Sequence, residues 1–447
     1  AQAAVWPDLV EVEWTPSVEV WSMNYVEAVE NNDYEDAVSS DSWVRSLNEL
    51  WVEEYDLFIK ADGQWRYNAW NGGLENESRG EASFREVYGE LRKEHYRFSA
   101  GEQILTWGKM DDITILDRVN PQDYRHFVLY DKQERKDPVF MLRHEYFGDG
   151  HGFETVYKPY FEASEVDYFG RNFAAFGHLK EAVDLGGYSA LQKSTVQGIG
   201  IRDEDRATEH SLDNGEVALR YRSRLHDVDY GLYYMNQRNS IPVLRESSPV
   251  GNTVKAFLYD PTLATLDTLV SASPTSEDLA LTAAHPRVQT IGADWETVLG
   301  EYGVRGEMAV MMGMPFLKED YSYTEKDTAM VGVGIDHTFE NSVYADLQYV
   351  QQYIFAYDKL YAQEEAPFFI AGTVSRDFAR GKFNAGLDWT WNASYGDWMF
   401  NPELLYKPWD SLHIAFGSFI FEEGSASTLF GRYDTDDIIY VSLKGVF

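Results

Sequence analysis

The chain has 447 residues and is strongly acidic, with 38 Lys and Arg against 74 Asp and Glu and a net charge of −36. It contains no cysteine, which excludes disulfides, thiol nucleophiles and Cys-ligated zinc. A nucleic acid needs a basic footprint on its partner, so nucleic-acid binding is excluded as the main activity. No apolar run reaches the roughly 18 residues of a membrane-spanning helix.

The first residues, Ala1, Gln2 and Ala3, are small and resemble a mature end left by signal-peptide cleavage. Beyond them, apolar and polar residues alternate with period two along most of the chain, for example over 217–225 and 383–391. Such alternation places one face of a strand in an apolar medium and the other in a polar one. Many of these segments run about 10–13 residues, which is longer than most soluble strands and suits a tilted strand across a bilayer.

The alternation predicts eighteen strands. Sixteen strands remain the alternative, because Pro16 interrupts the first segment and the third is short. The predicted strands lie at 8–23, 49–60, 64–70, 82–92, 95–105, 138–147, 153–161, 214–224, 227–236, 285–298, 301–311, 327–339, 342–354, 366–378, 382–392, 397–406, 411–421 and 437–447.

The predicted connections alternate in length, which is typical of a bacterial outer-membrane barrel. Short turns are predicted at 61–63, 93–94, 148–152, 225–227, 299–300, 340–341, 379–381 and 407–410. Mostly long connections are predicted at 24–48, 71–81, 106–137, 162–213, 237–284, 312–326, 355–365, 393–396 and 422–436. In such barrels the short turns and both termini are periplasmic, so we expect 162–213 and 237–284 to be long extracellular loops.

The last strand supports a membrane barrel. Ile439, Val441, Leu443 and Phe447 share a face, and a terminal aromatic residue resembles the closing-strand signature of bacterial outer-membrane barrels. The sequence therefore predicts an all-β protein, a single antiparallel transmembrane β-barrel over 1–447 without a second domain. We expect it in the outer membrane of a bacterial cell, in contact with outer-membrane lipid and lipopolysaccharide.

A barrel of this size encloses an aqueous channel rather than a packed core. The polar faces predict a pore lining of Glu86, Glu90, Arg97, Arg220, Arg222, Arg224, Asp229, Asp294, Arg305, Glu307, Asp336, Asp346 and Asp388. Three of these arginines, at 220, 222 and 224, stand roughly 7 Å apart along one strand. They either pair with lumen carboxylates or form an electropositive stripe that orients solutes. Because carboxylates outnumber basic groups in this lining, we expect the channel to prefer cations.

Aromatic residues near strand ends on the opposite face predict girdles at the two membrane interfaces. They are Tyr96, Tyr230, Tyr234, Trp295, Tyr302, Tyr349, Trp389, Trp391, Trp398 and Tyr406.

The third long connection, 106–137, is charged but retains aliphatic residues such as Ile113, Ile115 and Leu116. These need a dry contact, so we expect the loop to fold against the inner wall and narrow the pore. An ordered extracellular cap is the alternative. The candidate constriction residues are Asp111, Asp112, Asp117, Arg118, Asn120 and Asp123. Their charges should meet lumen partners, with the arginine ladder a candidate for the carboxylates.

The same region carries a motif: Gly101-Glu102-Gln103, Trp107-Gly108, then Asp117, Val119-Asn120-Pro121 and Asp123. This resembles the G-x-Q…W-G…N-P-x-D signature of an uncharacterised porin-like family of Gram-negative outer-membrane β-barrels. Glu102 departs from the pattern, in which an arginine is common. The resemblance implies a barrel fold and a link to RND-type exporters and a periplasmic lipoprotein-carrier-like protein, with passage of lipid-like or otherwise hydrophobic compounds.

Enzyme activity is not expected, because no nucleophile motif accompanies the ten scattered histidines. No cofactor or metal is expected either. The dense carboxylates Asp203-Glu204-Asp205 and Asp434, Asp436 and Asp437 are read as solvated loop charge, with calcium ligation or ion bridging to lipopolysaccharide as alternatives. The sequence thus favours a passive outer-membrane channel. The rivals are a conduit for hydrophobic compounds working with a periplasmic carrier or exporter, and a barrel anchor whose acidic loops hold a partner protein.

Overall fold

A computed structural model describes residues 2–3, 12–27, 37–70, 77–171, 173–204, 214–422, 428–434 and 436–447. In these residues, eighteen antiparallel strands form one closed sheet in which chain neighbours pair. The strands are β1 (Val12–Glu27), β2 (Ala37–Val52), β3 (Leu57–Trp70), β4 (Glu77–Arg92), β5 (Tyr96–Gln103), β6 (Val139–Gly148), β7 (His151–Lys158), β8 (Glu216–Leu225), β9 (Val228–Arg238), β10 (Arg287–Leu299), β11 (Tyr302–Leu317), β12 (Tyr323–Thr338), β13 (Val343–Ile354), β14 (Phe368–Phe378), β15 (Phe383–Asn392), β16 (Asp397–Trp409), β17 (Leu412–Glu422) and β18 (Ile438–Val446).

The barrel closes where β18 pairs with β1, from Glu19 opposite Val446 to Glu27 opposite Ile438. The final residue extends this seam, because Phe447 and Val18 exchange both backbone hydrogen bonds. The short strand Gln2–Ala3 pairs with β1 beyond the end of β18. The predicted antiparallel barrel of eighteen strands is confirmed, and the alternative of sixteen is wrong.

The two faces of the sheet differ as the alternation requires. In β9, Leu232 is 51% exposed whereas Tyr233 is 5% exposed, and charged residues such as Glu154 and Glu307 are buried on the same face as Tyr233. Because the sheet closes on itself, the buried polar face surrounds a lumen and the exposed apolar face is the outside of the barrel. Among the aromatic residues expected in girdles, Tyr230 and Tyr234 alternate with Tyr233 and so share the outer face with Leu232.

The first three predicted strands were misplaced. The expected turn at 61–63 lies inside β3, and the expected loop 24–48 contains most of β2. The true turn, 53–56, begins with the 3-10 helix Glu53–Tyr55 and ends at Asp56, whose φ is 51°. The alternation of β2 was missed because serines occupy much of its outer face, while charged residues such as Asp41 and Arg45 are buried inside.

The predicted connection 312–326 was also wrong, since only 318–322 separate β11 from β12. The register between these strands shifts between Met311 and Met314, where Gly313 has a φ of 82°. A bulge of this kind breaks the period-two pattern, so the strand seemed to end early. Elsewhere, from β4 onward, short turns alternate with mostly long connections as expected.

The two longest connections fold together into a cap at the long-loop rim. They contain helices α1 (Leu179–Leu185), α2 (Ala190–Gln197), α3 (Gly251–Tyr259) and α4 (Leu263–Ser271), and a three-stranded sheet of Gly200–Asp203, Val243–Arg245 and Ala280–Ala284. No helix in the described residues is long and apolar enough to cross a membrane.

The cap has an apolar core of its own, which the sequence analysis did not anticipate. Its buried members include Val196, Val254, Leu266, Leu269 and Leu281. Parts of the predicted loops 162–213 and 422–436 lie outside the described residues. Ala1 and Asp205 also lie outside them.

Candidate functional site

The connection between β5 and β6, residues 104–138 and here called the lumen loop, packs against opposite sides of the barrel. Its residues Trp107, Ile115 and Leu116 join one buried apolar cluster with Ala218, Tyr233, Met235, Val288, Ala309, Met311 and Val350 of β8 to β13. Its residues Phe127 and Leu129 join another with Met23, Phe419, Phe421, Ile438 and Tyr440 of β1, β17 and β18. A segment that contacts both sides of a closed ring crosses its lumen. The structure therefore places this loop inside the barrel.

The first part of the lumen loop converges on one carboxylate of the wall. Oε1 of Glu307, in β11, accepts the backbone N–H groups of Lys109 and Met110 at 2.6 and 2.8 Å. Oε2 accepts those of Ile115 and Leu116 at 2.7 and 2.9 Å. Glu307 is 1% exposed, so a buried charge is satisfied by four donors of the loop.

Residues of the sequence motif brace the loop from within. The side-chain oxygen of Asn120 accepts the N–H of Leu105 at 2.9 Å, and its amide donates to the carbonyls of Gln103 and Asp137. The carboxylate of Asp117 accepts the N–H of Trp107 at 3.2 Å. These bonds close the base of the loop.

Ion pairs fix the base and the second half of the loop. Lys136 is buried and pairs with Asp117 at 2.7 Å between Nζ and Oδ2. Glu134 pairs with Arg45 and, at 3.4 Å, with Arg85, both on the inner wall.

Asp123 bonds Arg125 within the loop and lies 3.4 Å from Arg66 of β3. Burial alone would raise the pKa of Asp123, but the hydrogen bonds and charge of Arg125 lower it to about 2. Asp123 is therefore an anion at neutral pH, and it ties the loop to the wall.

One face of the lumen loop remains open to water inside the barrel. Thr106, Asp111, Asp112, Asp131 and Gln133 are exposed, although most of their neighbours are buried. Thr106 and Gln133 are joined by a 3.0 Å hydrogen bond, and Lys132 donates to the carbonyl of Asp111. Three of the five exposed residues on this face, Asp111, Asp112 and Asp131, are acidic.

The barrel wall near this face is acidic too. Asp112 interacts with Asp346 and Asp388, and Asp131 with Asp388. Crowding by protein and the charge of Asp346 raise the pKa of Asp112 to about 7, and burial followed by the charge of Glu134 raises that of Asp131. Carboxylates thus lie both on the lumen loop and on the wall that faces it.

The arginine ladder pairs with the wall rather than with the lumen loop. Arg220 lies 2.5 Å from Glu154, Arg222 lies 3.4 Å from Glu145, and Arg224 lies 3.6 Å from Asp229. The expected pairing with loop carboxylates is therefore wrong, because the neighbouring strands β6, β7 and β9 already supply carboxylates.

The ladder meets the loop through an aromatic ring instead, since the Arg220 guanidinium is 5.2 Å from the ring centre of Trp107. All three arginines line a cavity of about 380 Å³, together with residues that include Lys109 and Asp294.

Other predicted lining residues have local partners. Asp294 accepts a hydrogen bond from Tyr233, and Arg305 pairs with Asp111 and Asp336. Glu86 pairs with Lys60, and Glu90 pairs with Arg92. Arg97 lies 4.0 Å from Glu145.

Several functional residues were not found from the sequence. Arg45 and Arg66 belong to the misplaced strands β2 and β3, so their inward position was hidden. Gln348, at the inner position next to Asp346, accepts the N–H groups of Asp112 and Ile113 at 3.3 Å. Its place on the same face as Asp346 was the signal that could have identified it. Among the described residues, no group of three or more His, Asp or Glu side chains is arranged to hold a metal ion.

Comparison with known proteins gives a family and a fold. The family model described as "Protein of unknown function (DUF1302)" matches residues 30–431. No curated protein matches the chain.

Among solved structures, OccAB3 of Acinetobacter baumannii aligns over 97% of this chain and 99% of its own, with a TM-score of 0.51 and 8% identity. A loop-deletion mutant of OmpT, an outer membrane protein of Vibrio cholerae, aligns over 97% and 99%, with a TM-score of 0.40 and 9% identity. A structure described as a porin aligns over 97% and 100%, with a TM-score of 0.39 and 9% identity. The likeness to OccAB3 concerns the fold.

Proposed function

Because the chain belongs to the DUF1302 family of proteins of unknown function and folds as a closed eighteen-stranded barrel, we propose that it is a passive channel of the bacterial outer membrane. Barrels of this size leave room for an aqueous path, which in this chain the lumen loop narrows. Selection is steric and electrostatic, without bond making.

The outer surface supports placement in a lipid bilayer. Val331, Val333 and Ile335 alternate along β12, and each is more than 40% exposed on the outer face. Exposed apolar area of this extent costs about 25 cal/mol per Å² in water. In the hydrocarbon core that cost disappears, and closure leaves no unpaired strand edge.

The observation that supports charge selectivity is the group of carboxylates that face one another beside the lumen loop. Asp112 and Asp131 on the loop interact with Asp388 on β15, and Asp346 of β13 lies beside Asp112. Closely spaced carboxylates in a narrow path attract cations and repel anions. We therefore expect cations to pass in preference to anions. The three arginines of the ladder do not oppose this preference, because each is paired with a carboxylate of the wall.

The test is the reversal potential of the purified protein in a planar bilayer under a KCl gradient. A reversal potential whose sign shows that K⁺ passes more easily than Cl⁻ supports the proposal. Asp388→Asn should lower this preference for cations. Asp410→Asn, in the turn between β16 and β17, removes the same charge outside the passage and should leave it unchanged. Anion preference would contradict the proposal and assign selection to the arginine ladder.

A further inference from the structure

The tip of the lumen loop, residues 107–116, fits a socket from which side chains are missing. A Cβ atom on Gly292 of β10 would overlap Leu116, and one on Gly332 of β12 would overlap the sulfur of Met110. Within the tip, Gly108 has a φ of 89°, and a Cβ there would overlap Oε1 of Glu307. Glycines on both partners therefore allow the tip to lie directly on the wall.

At the centre of this socket, Glu307 accepts hydrogen bonds from four backbone N–H groups at 109, 110, 115 and 116. Both of its oxygens are used, so the carboxylate takes the place that a bound anion would have among these amides. The same tip has further links to the wall at its edges. Lys109 pairs with half-exposed Glu296, and exposed Asp111 pairs with Arg305. Asp112 and Ile113 donate to Gln348 at 3.3 Å.

The rest of the loop is held independently of Glu307. Asn120 binds the backbone at Leu105, Gln103 and Asp137, and Glu134 pairs with Arg45 and Arg85. Loss of the Glu307 bonds would therefore free the tip while the base stays in place.

We propose that Glu307 is a latch that holds the loop tip across the lumen and thereby sets the width of the pore. The inference rests on the proposed channel function. Without the latch, four buried N–H groups lose their acceptor, which favours a state in which they reach water. The tip then leaves the socket, and the passage widens.

The first test needs no current, because a chain without cysteine allows one thiol to report on the tip. Leu116 is 0% exposed, so Leu116→Cys in the purified barrel should react slowly with a water-soluble maleimide. Adding Glu307→Ala should speed labelling by about tenfold or more, because four N–H bonds are lost together. Glu307→Gln should give an intermediate rate, since one oxygen remains to accept one pair of N–H groups.

Two controls separate the latch from general damage. Glu296→Ala removes a nearby carboxylate but no acceptor of these four N–H groups, and should leave labelling slow. The exposed Thr106→Cys should label equally fast with and without Glu307→Ala. Slow labelling of Leu116→Cys in both Glu307 variants, in barrels with intact β-sheet signal, would overturn the latch.

Conductance is the second test. Glu307→Ala should raise single-channel conductance toward that of a variant lacking 111–130. A Met110→Cys/Gly332→Cys disulfide in the same background should restore the smaller value until it is reduced. If the deletion variant has a higher conductance but Glu307→Ala has the conductance of the wild type, the proposal that Glu307 is a latch is wrong. The proposed channel function is then still supported. If neither wild type nor the deletion variant conducts, the proposed function is wrong, while maleimide labelling still decides whether Glu307 holds the tip.

Discussion

Single residues of the motif shape the lumen loop. Asn120 satisfies three backbone groups at the base of the loop, and Asp117 satisfies the N–H of Trp107. Gly108 provides the left-handed backbone that brings two N–H groups to Glu307. The spacing of these residues therefore encodes a loop conformation. The sequence revealed the motif and predicted Glu307 as an inward-facing residue, but it did not reveal that the two are in contact. Glu307 is 191 residues away from Leu116 along the chain.

Gly108→Ala should undock the loop tip. Alanine at a φ of 89° is strained, by roughly 1–2 kcal/mol, and its Cβ would also overlap Glu307. Gly396→Ala is the matched control, because Gly396 has a φ of 84° and no atom within 4 Å of an added Cβ. We expect hydrogen exchange at 109–116 to accelerate by about tenfold in Gly108→Ala, or 1.4 kcal/mol, and to stay unchanged in Gly396→Ala. Equal exchange in both variants would contradict the account.

Cation preference should depend on pH through Asp112. Its pKa is raised to about 7, by loss of solvation and then by the Asp346 charge; Asp388 and Asp111 add to the effect. Below pH 7 Asp112 is mostly neutral, and above it the carboxylate is charged. We therefore expect the reversal potential to shift toward stronger cation preference as pH rises from 6 to 8, and Asp112→Asn to flatten the change. The same shift in Asp112→Asn would exclude this group.

The docked loop should also weaken as Asp112 ionises. Its ordinary pKa is 3.8, so between pH 4 and 7 the docked state binds more protons than the free one. By linkage, the stability of docking falls as pH rises through this window and levels off above it. Protection from hydrogen exchange at 112–116, corrected for the intrinsic rate, should therefore fall as pH rises through this window. In Asp112→Asn, protection should not depend on pH in this way.

At the scale of elements, strand prediction succeeded where the outer face of a strand is apolar and the inner face polar. It failed where this contrast is missing. From β5 onward the bounds of the predicted and observed strands agree to within about three residues, apart from the end of β11, which has a bulge, and the start of β12. The observed β4 begins at Glu77, before its predicted start at 82. In β2, serines on the outer face removed the contrast between faces. The aliphatic residues of the lumen loop indicated that it needs an apolar contact, but they did not indicate its contact with β17 and β18. That contact depends on Phe127 and Leu129, whose partners come from the other end of the chain.

Deleting residues 111–130 should raise conductance severalfold. The deletion removes residues 111–116 of the loop tip and the crossing to the far wall. The remaining ends can rejoin because Lys132 contacts the carbonyl of Asp111. The strands are untouched, so the barrel should assemble. Unchanged conductance in a folded deletion variant would remove the loop from the constriction and leave the charges of the strands as the selector.

At the scale of the whole molecule, the 74 Asp and Glu side chains have different surroundings. Some of them face one another between the lumen loop and β13 to β15, and others pair with arginines along β6 to β8. The outside of the barrel is apolar. The sequence pattern predicted this division between outside and inside, since period two is set by the strand itself. It did not predict the folded cap, whose core joins segments that are far apart in the chain.

Single-channel recording of the wild-type protein in a planar bilayer tests the central claim most directly. We expect steady, ohmic currents of small conductance, with a reversal potential under a KCl gradient that indicates cation preference. The current should flow through the acidic passage beside the docked lumen loop. Absence of current from both the wild type and the 111–130 deletion, in barrels shown to be folded and inserted, would contradict a channel in this lumen.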